Sequence, residues 1–123
     1  TQAMRKGIQS AVAAALLCAS IGASAQDSAK PAEQPPVFDN AYMTDPANIE
    51  LGKQVWQQQC RHCHGASAYP GKAPKLVPGR MDPDFIFDRV TYGFRKMPAW
   101  KDVFTREQLM GVTAFIKSPD FSP

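Results

Sequence analysis

Apolar residues recur at helical intervals in three stretches of the chain, and no stretch offers a convincing strand alternation. From Asp45-Pro46 onward, Ile49, Gly52, Val55, Trp56 and Cys60 fall on one face at three- and four-residue steps. Asp45 is placed to cap that helix and Pro46 to occupy its first position. Asp82-Pro83 repeats the device ahead of Phe85, Ile86, Arg89 and Val90, with a stop near Gly93. Thr105, with Gln108 three residues on, forms a capping box. It precedes a stripe of Leu109, Val112, Phe115 and Ile116, and Pro119 lies just past the end. Residues 65–81 are rich in Gly, Pro, Lys and Ala and read as loop. Pro98 disfavours helix at Met97. The pattern is all-α, without internal repeat, over about 71 residues from Asn48 to Ser118. A core of that size is thin for independent stability and calls for a staple.

The first 25 residues follow another pattern. Arg5 and Lys6 precede a run of small and apolar residues that closes at Ala23-Ser24-Ala25, the layout of a cleaved export signal. Met4 fits as the start, with a short extension before it. Cys18 lies inside this segment after Leu17, so a lipoprotein signal is disfavoured. Export implies a periplasmic protein. Residues 26–46 carry Pro31, Pro35, Pro36 and Pro46 among polar residues and read as an extended arm. Its sizeable apolar groups are Phe38, Tyr42 and Met43, and it is either a loose tether or a segment that packs on the domain or a partner. The expected organisation is a signal at 1–25, the arm at 26–46, a domain at 47–119 and a tail at 120–123.

Composition then narrows the classes. The 123 residues are 44% hydrophobic and 20% charged, with three cysteines and a formal charge of +3. No run of about 18 apolar residues exists for a membrane span. Three cysteines are too few for a disulfide scaffold, and the charge is too balanced for a nucleic-acid binder. Without the signal the charge falls to +1, since Arg5 and Lys6 leave with it. Anionic membranes or polyanion partners are therefore not implied.

The chemistry sits in Cys60-Arg61-His62-Cys63-His64, a C-x-x-C-H signature of c-type haem attachment. Two thiols three residues apart can add to neighbouring vinyl groups, and the adjacent histidine is then placed at the iron. A thioredoxin-like pair would need a βαβ context. A zinc site would need a second ligand pair, and the mature chain has no other Cys or His. With His64 as one axial ligand, the candidates for the other are Met43, Met81, Met97 and Met110. Met110 lies on a helix stripe, Met81 follows His64 too closely to cross to the opposite face, and Met43 belongs to the arm. Met97, 33 positions after His64 and outside any helix, is favoured. An open or water-bound position is the alternative.

Together these residues resemble a class I cytochrome c, a small all-α fold of three main helices around one covalent haem. By that resemblance Gly52 and Trp56 are the small residue and aromatic of the first helix, and the glycine lets the C-terminal helix cross, with Phe115 as partner aromatic. Ala73-Pro74-Lys75-Leu76 resembles the family's proline segment, which implies a bond from His64 to the Pro74 carbonyl. Gly79-Arg80 resembles a haem-propionate arginine. Met97-Pro98-Ala99-Trp100 resembles the distal methionine turn, and His/Met ligation implies electron transfer without bond chemistry. Residues 93–100 are also similar to the cytochrome subunit of p-cresol methylhydroxylase (4-cresol dehydrogenase) and its alkylphenol and eugenol hydroxylase relatives. That likeness implies a flavoprotein partner that oxidises a para-alkyl phenol, with Ala99 and Trp100 in the docking patch. Lys96 and Trp100 depart from the pattern, as does the arm. The alternatives are a free shuttle between a dehydrogenase and a terminal oxidase, and a gas-sensing or peroxidase-like haem protein.

Overall fold

A computed structural model of the chain describes residues 33–67 and 71–121. The expected signal at 1–25 and the start of the arm lie outside those residues. Among the described residues five α-helices follow one another: α1 (Asn40–Thr44), α2 (Pro46–Val55), α3 (Arg61–His64), α4 (Pro83–Tyr92) and α5 (Arg106–Lys117). A π turn at Trp56–Cys60 joins α2 to α3, and a 3₁₀ turn spans Pro78–Arg80. Among the described residues the only strand-like pairing is an isolated antiparallel bridge between Phe94 and Met97. No described helix is long and apolar enough to cross a membrane.

The helix starts are set by local chemistry. The Asp45 carboxylate accepts the Ala47 N–H at 2.8 Å, with Pro46 in the first turn of α2. At α5 the reciprocal box is complete. The Thr105 hydroxyl accepts from the Gln108 N–H at 3.2 Å, and the Gln108 amide accepts from the Thr105 N–H at 2.8 Å. Asp82 holds the corresponding place before α4 but its side chain makes no capping bond, so this start rests on Pro83. Gly93, at φ +75°, ends α4 in the left-handed region that a side chain would oppose.

The principal packing is α2 against α5. A Cβ on Gly52 would stand 1.9 Å from the Gly111 carbonyl oxygen, so the two backbones touch there. Around the crossing, Val55, Trp56, Val112 and Phe115 are almost wholly buried. From α4 the buried stripe is Ile86, Phe87, Val90 and Thr91. Phe85, expected on that stripe, is instead 46% exposed.

Of the two forms expected for the arm the structure shows the one that packs on the domain, and the end of the chain departs from expectation. The arm is not extended throughout: Asp39 caps α1 by accepting the Tyr42 N–H at 2.8 Å, and Phe38 packs its ring 5.8 Å from that of Phe87. The Asn48 side-chain amide donates to the Tyr42 carbonyl at 3.1 Å, and the Arg106 guanidinium donates to the Gln34 carbonyl. Residues 34–46 are therefore part of the domain. Nor is the C-terminal end a free tail. Phe121 is 1% exposed, edge-on to Trp56 at 4.6 Å and to Phe115 at 5.4 Å. Burying a phenylalanine contributes roughly 1.5–3 kcal/mol, enough to bring the chain back over the core after Pro119.

Candidate functional site

Trp56 connects the fold to the C-x-x-C-H segment. Its indole N–H donates to the carbonyls of both Gly65 and Ala66 at 3.1 Å, fixing the chain as it leaves α3. Its ring lies 5.5 Å from the His64 imidazole, with Phe121 at 4.6 Å and Phe115 at 6.2 Å. The histidine is thus packed against the same aromatic group that joins α5 and the C-terminal end. Gly65, at φ +83°, stops α3, and the loop returns at once: the Ala73 N–H donates to the Cys63 carbonyl at 2.8 Å.

The two motif cysteines are free thiols in unlike surroundings, Cys60 buried and Cys63 exposed. Burial pushes the Cys60 thiol up to about 11, so it is uncharged near neutral pH. Burial also lowers His64 below the ordinary histidine value, favouring the neutral ring that ligates a metal. His64 Nδ1 is buried and has no hydrogen-bond partner among the described residues. The bond expected from it to the Pro74 carbonyl is therefore not formed here, and Pro74 is exposed. Among the described residues the His64 imidazole, held by packing, carries the one buried side-chain nitrogen or oxygen without a hydrogen-bond partner.

Around it the donor set is nitrogen and sulfur. His62 points away, its Nε2 paired at 3.2 Å with the Gln58 carbonyl on the exposed side. Among the described residues no three His, Cys, Asp or Glu converge on a metal-ion site, so the motif does not form a zinc cluster. Two thiols and one neutral imidazole fit a covalently held haem.

Met97 sits half-buried against the core in a tight turn. Phe94 and Met97 exchange two N–H···O bonds of 3.0 Å, and Trp100 N–H donates to the Val90 carbonyl at 3.0 Å, tying the turn to α4. Inside the turn Arg95 adopts φ +54°. Met81 is also half-buried against the core, in the segment after the 3₁₀ turn. Arg80 is exposed on that turn. Lys117 of α5 donates to the carbonyls of Pro78 at 2.7 Å and Met81 at 2.8 Å, fixing the turn that carries Arg80. This clamp has no local signature, because its partners are backbone atoms more than thirty residues away.

Comparison with known proteins places this arrangement. Residues 47–116 match the family described as cytochrome c oxidase, cbb3-type, subunit III. Among solved structures the chain is similar to cytochrome cL from the marine methylotrophic bacterium Methylophaga aminisulfidivorans, with TM-score 0.56 and 22% identity, covering 64% of this chain and 57% of that one. It is similar to the KustC0563 c-type cytochrome at TM-score 0.50 and 19% identity, over 54% of this chain and 93% of that one. The c-type cytochrome NirC aligns at TM-score 0.51 and 19% identity, over 64% of this chain and 99% of that one. The chain thus spans little more than half of the cytochrome cL it matches, and at these identities the likeness is one of fold. No curated protein sequence matches.

Proposed function

Because the chain belongs to the family described as subunit III of cbb3-type cytochrome c oxidase, and is a c-type cytochrome that carries electrons on a covalent haem c, we propose how its residues hold that group and whom they serve. Cys60 and Cys63 would hold the haem covalently, and His64 and Met97 would be the side chains that ligate its iron. The carrying observation is His64 itself, a neutral imidazole packed against Trp56 with a buried, unpaired Nδ1, one residue after the second thiol. When bound, the haem supplies a one-electron ferric/ferrous couple. The chain would supply the ligands, and methionine sulfur among them would favour the ferrous state. Arg80, on the turn clamped by Lys117, would supply a cation to a propionate.

The site lies in the periplasm, delivered by the signal at 1–25, and its electrons come from a flavoprotein that oxidises a 4-alkylphenol. The string from Gly93 to Trp100 supports that partner. Two measurements test the reading. The ferrous protein should not bind carbon monoxide at neutral pH, whereas Met97→Ala should bind it rapidly and lose the methionine-to-ferric-iron absorption band. Rapid binding by the unsubstituted protein would remove Met97 as ligand. For the partner, the native protein should copurify with a flavoprotein whose reduction by 4-alkylphenols reduces this haem. A free monomer from the native host points instead to a diffusing shuttle.

A further inference from the structure

The outer face of α4 is aromatic where a solvent-facing helix is ordinarily polar. Phe85, Arg89 and Tyr92 follow at four- and three-residue steps and share one stripe. At about 100° of rotation per residue that stripe lies opposite the buried Ile86, Phe87, Val90 and Thr91. Tyr92 is 67% exposed and Phe85 46%, and Phe94, just beyond the helix, is 48% exposed. Scattered exposed apolar residues are ordinary, but these are contiguous. The Arg89 guanidinium carbon lies 4.8 Å from the Phe85 ring centre and 3.9 Å from that of Phe94, and the Arg95 guanidinium covers Phe94 at 5.1 Å. Rings and cations alternate in one stack, which continues through the Phe94–Met97 bridge into the methionine turn.

Charge gives the stack a polarity. Between Asp88 and Asp102 the chain holds Arg89, Arg95, Lys96 and Lys101 and no carboxylate, while Asp84 and Asp88 lie on the neighbouring flank of α4. We propose that this face is where a redox partner protein docks, and that the partner presents an apolar pocket rimmed by carboxylates. Tyrosine and arginine are the side chains that most often dominate such contacts, through large rigid area and bidentate pairing. Cations at the rim would steer an acidic partner and set its approach rate. The position also brings the partner to the turn that carries Met97. The proposal rests on the electron-carrier reading and adds to it the docking face and the partner's surface chemistry.

The test places a photoreactive benzoylphenylalanine at Tyr92 of the full chain in its native host, with Lys53 on the exposed side of α2 as the control position. The Tyr92 probe should crosslink to a protein bearing a flavin, haem or copper centre, and the Lys53 probe should not. With that protein purified, Phe85→Ser/Tyr92→Ser should slow bimolecular electron transfer about tenfold or more at low ionic strength. Lys96→Glu should slow it too, with the difference vanishing at high salt. Absorption spectrum and reduction potential should stay unchanged in both variants, so that a lost or altered haem counts against the carrier reading and not against the docking face. Crosslinking only to another copy of this chain, only to lipid, or to no redox protein overturns the proposal. So does wild-type electron transfer in the double variant.

Discussion

Replacing Gly52 by alanine tests the geometry on which the whole domain turns. The added Cβ would meet the Gly111 carbonyl oxygen at 1.9 Å, its carbon at 2.3 Å and the Val112 nitrogen at 2.7 Å. All three are backbone atoms of α5, so no side chain can swing aside. Ordinary contact begins at 3.4 Å, which requires the helices to part by about 1.5 Å at the crossing. A gap of only 0.5–1 Å already forfeits roughly a quarter to a half of a van der Waals contact. Val55, Val112 and Phe115 would lose partners together. Overpacking of this kind costs about 3 kcal/mol, the upper end of its usual range, and the better helix propensity of alanine returns about 1 kcal/mol. The net loss is about 2 kcal/mol or more, a large share of a small domain's stability. Gly111→Ala is the internal control. Its Cβ would lie 3.1 Å from the Asn48 oxygen, 3.2 Å from the Gly52 nitrogen and 3.3 Å from a flexible Leu51 carbon. Shifts of a few tenths of an ångström relieve these, and the helix gain of about 1 kcal/mol offsets them. Urea denaturation of the haem-loaded protein, followed by far-ultraviolet circular dichroism, reads both. A Gly52→Ala protein as stable as wild type, or a Gly111→Ala protein equally damaged, would refute the reasoning.

Two further substitutions probe the edges of the fold. Arg95 holds φ +54°, which costs a side-chain-bearing residue roughly 1–2 kcal/mol. Arg95→Gly should raise stability by up to about 1 kcal/mol after the lost ring contact with Phe94 and the flexibility of glycine are counted. Arg95→Ala, which keeps the strain and loses the contact, should fall below both, and the opposite order in the same denaturation assay would sink the argument. Tyr42 is raised above its ordinary value of 10.0, first by burial and then by the charges of Glu107 and Asp45. The fold therefore favours the neutral phenol. Its contribution is complete below pH 10 and is lost as pH rises through the raised value. Tyr42→Phe should match wild type near pH 8 and lose less stability than wild type near pH 11. Equal alkaline losses in the two proteins would show that the phenol is not the titrating group.

What could be read from the sequence was whatever is decided within a few residues. Asp45-Pro46 and Thr105 with Gln108 mark helix starts because the side chain and the N–H it satisfies are at most three positions apart. The Cys60–His64 motif is contiguous for the same reason. The missed features are long-range. The resemblance placed the C-terminal helix across Gly52, but nothing near Gly111 says that it is the residue met there, and nothing near Phe121 says that Trp56 awaits it across the fold. The five-residue α1 is too short to signal its own period, and Phe38 against Phe87 supplies the packing that holds it. Phe85 was misplaced because in a ten-residue helix one step of register moves a ring from the core to solvent. The neighbouring Phe87 takes the buried position instead.

The π turn shows how the fold and the site come to share one helix. Gly52, Trp56, Cys60 and His64 are spaced four apart, and all turn inward: the first three are buried and His64 is half-buried against Trp56. In a regular α-helix each four-residue step over-rotates by about 40°, so three steps would carry His64 about 120° away from the Gly52 face. A glycine seated on α5 and a histidine packed beneath Trp56 could not then lie on the same side. The wider turn at Trp56–Cys60, with hydrogen bonds reaching five residues rather than four, takes up part of that rotation where the first cysteine sits. Read as letters, the four-residue spacing is indistinguishable from an ordinary apolar stripe. Its physical meaning is that one face serves two ends, α5 at one and the C-x-x-C-H segment at the other. The bulge between them lets both be satisfied without bending either.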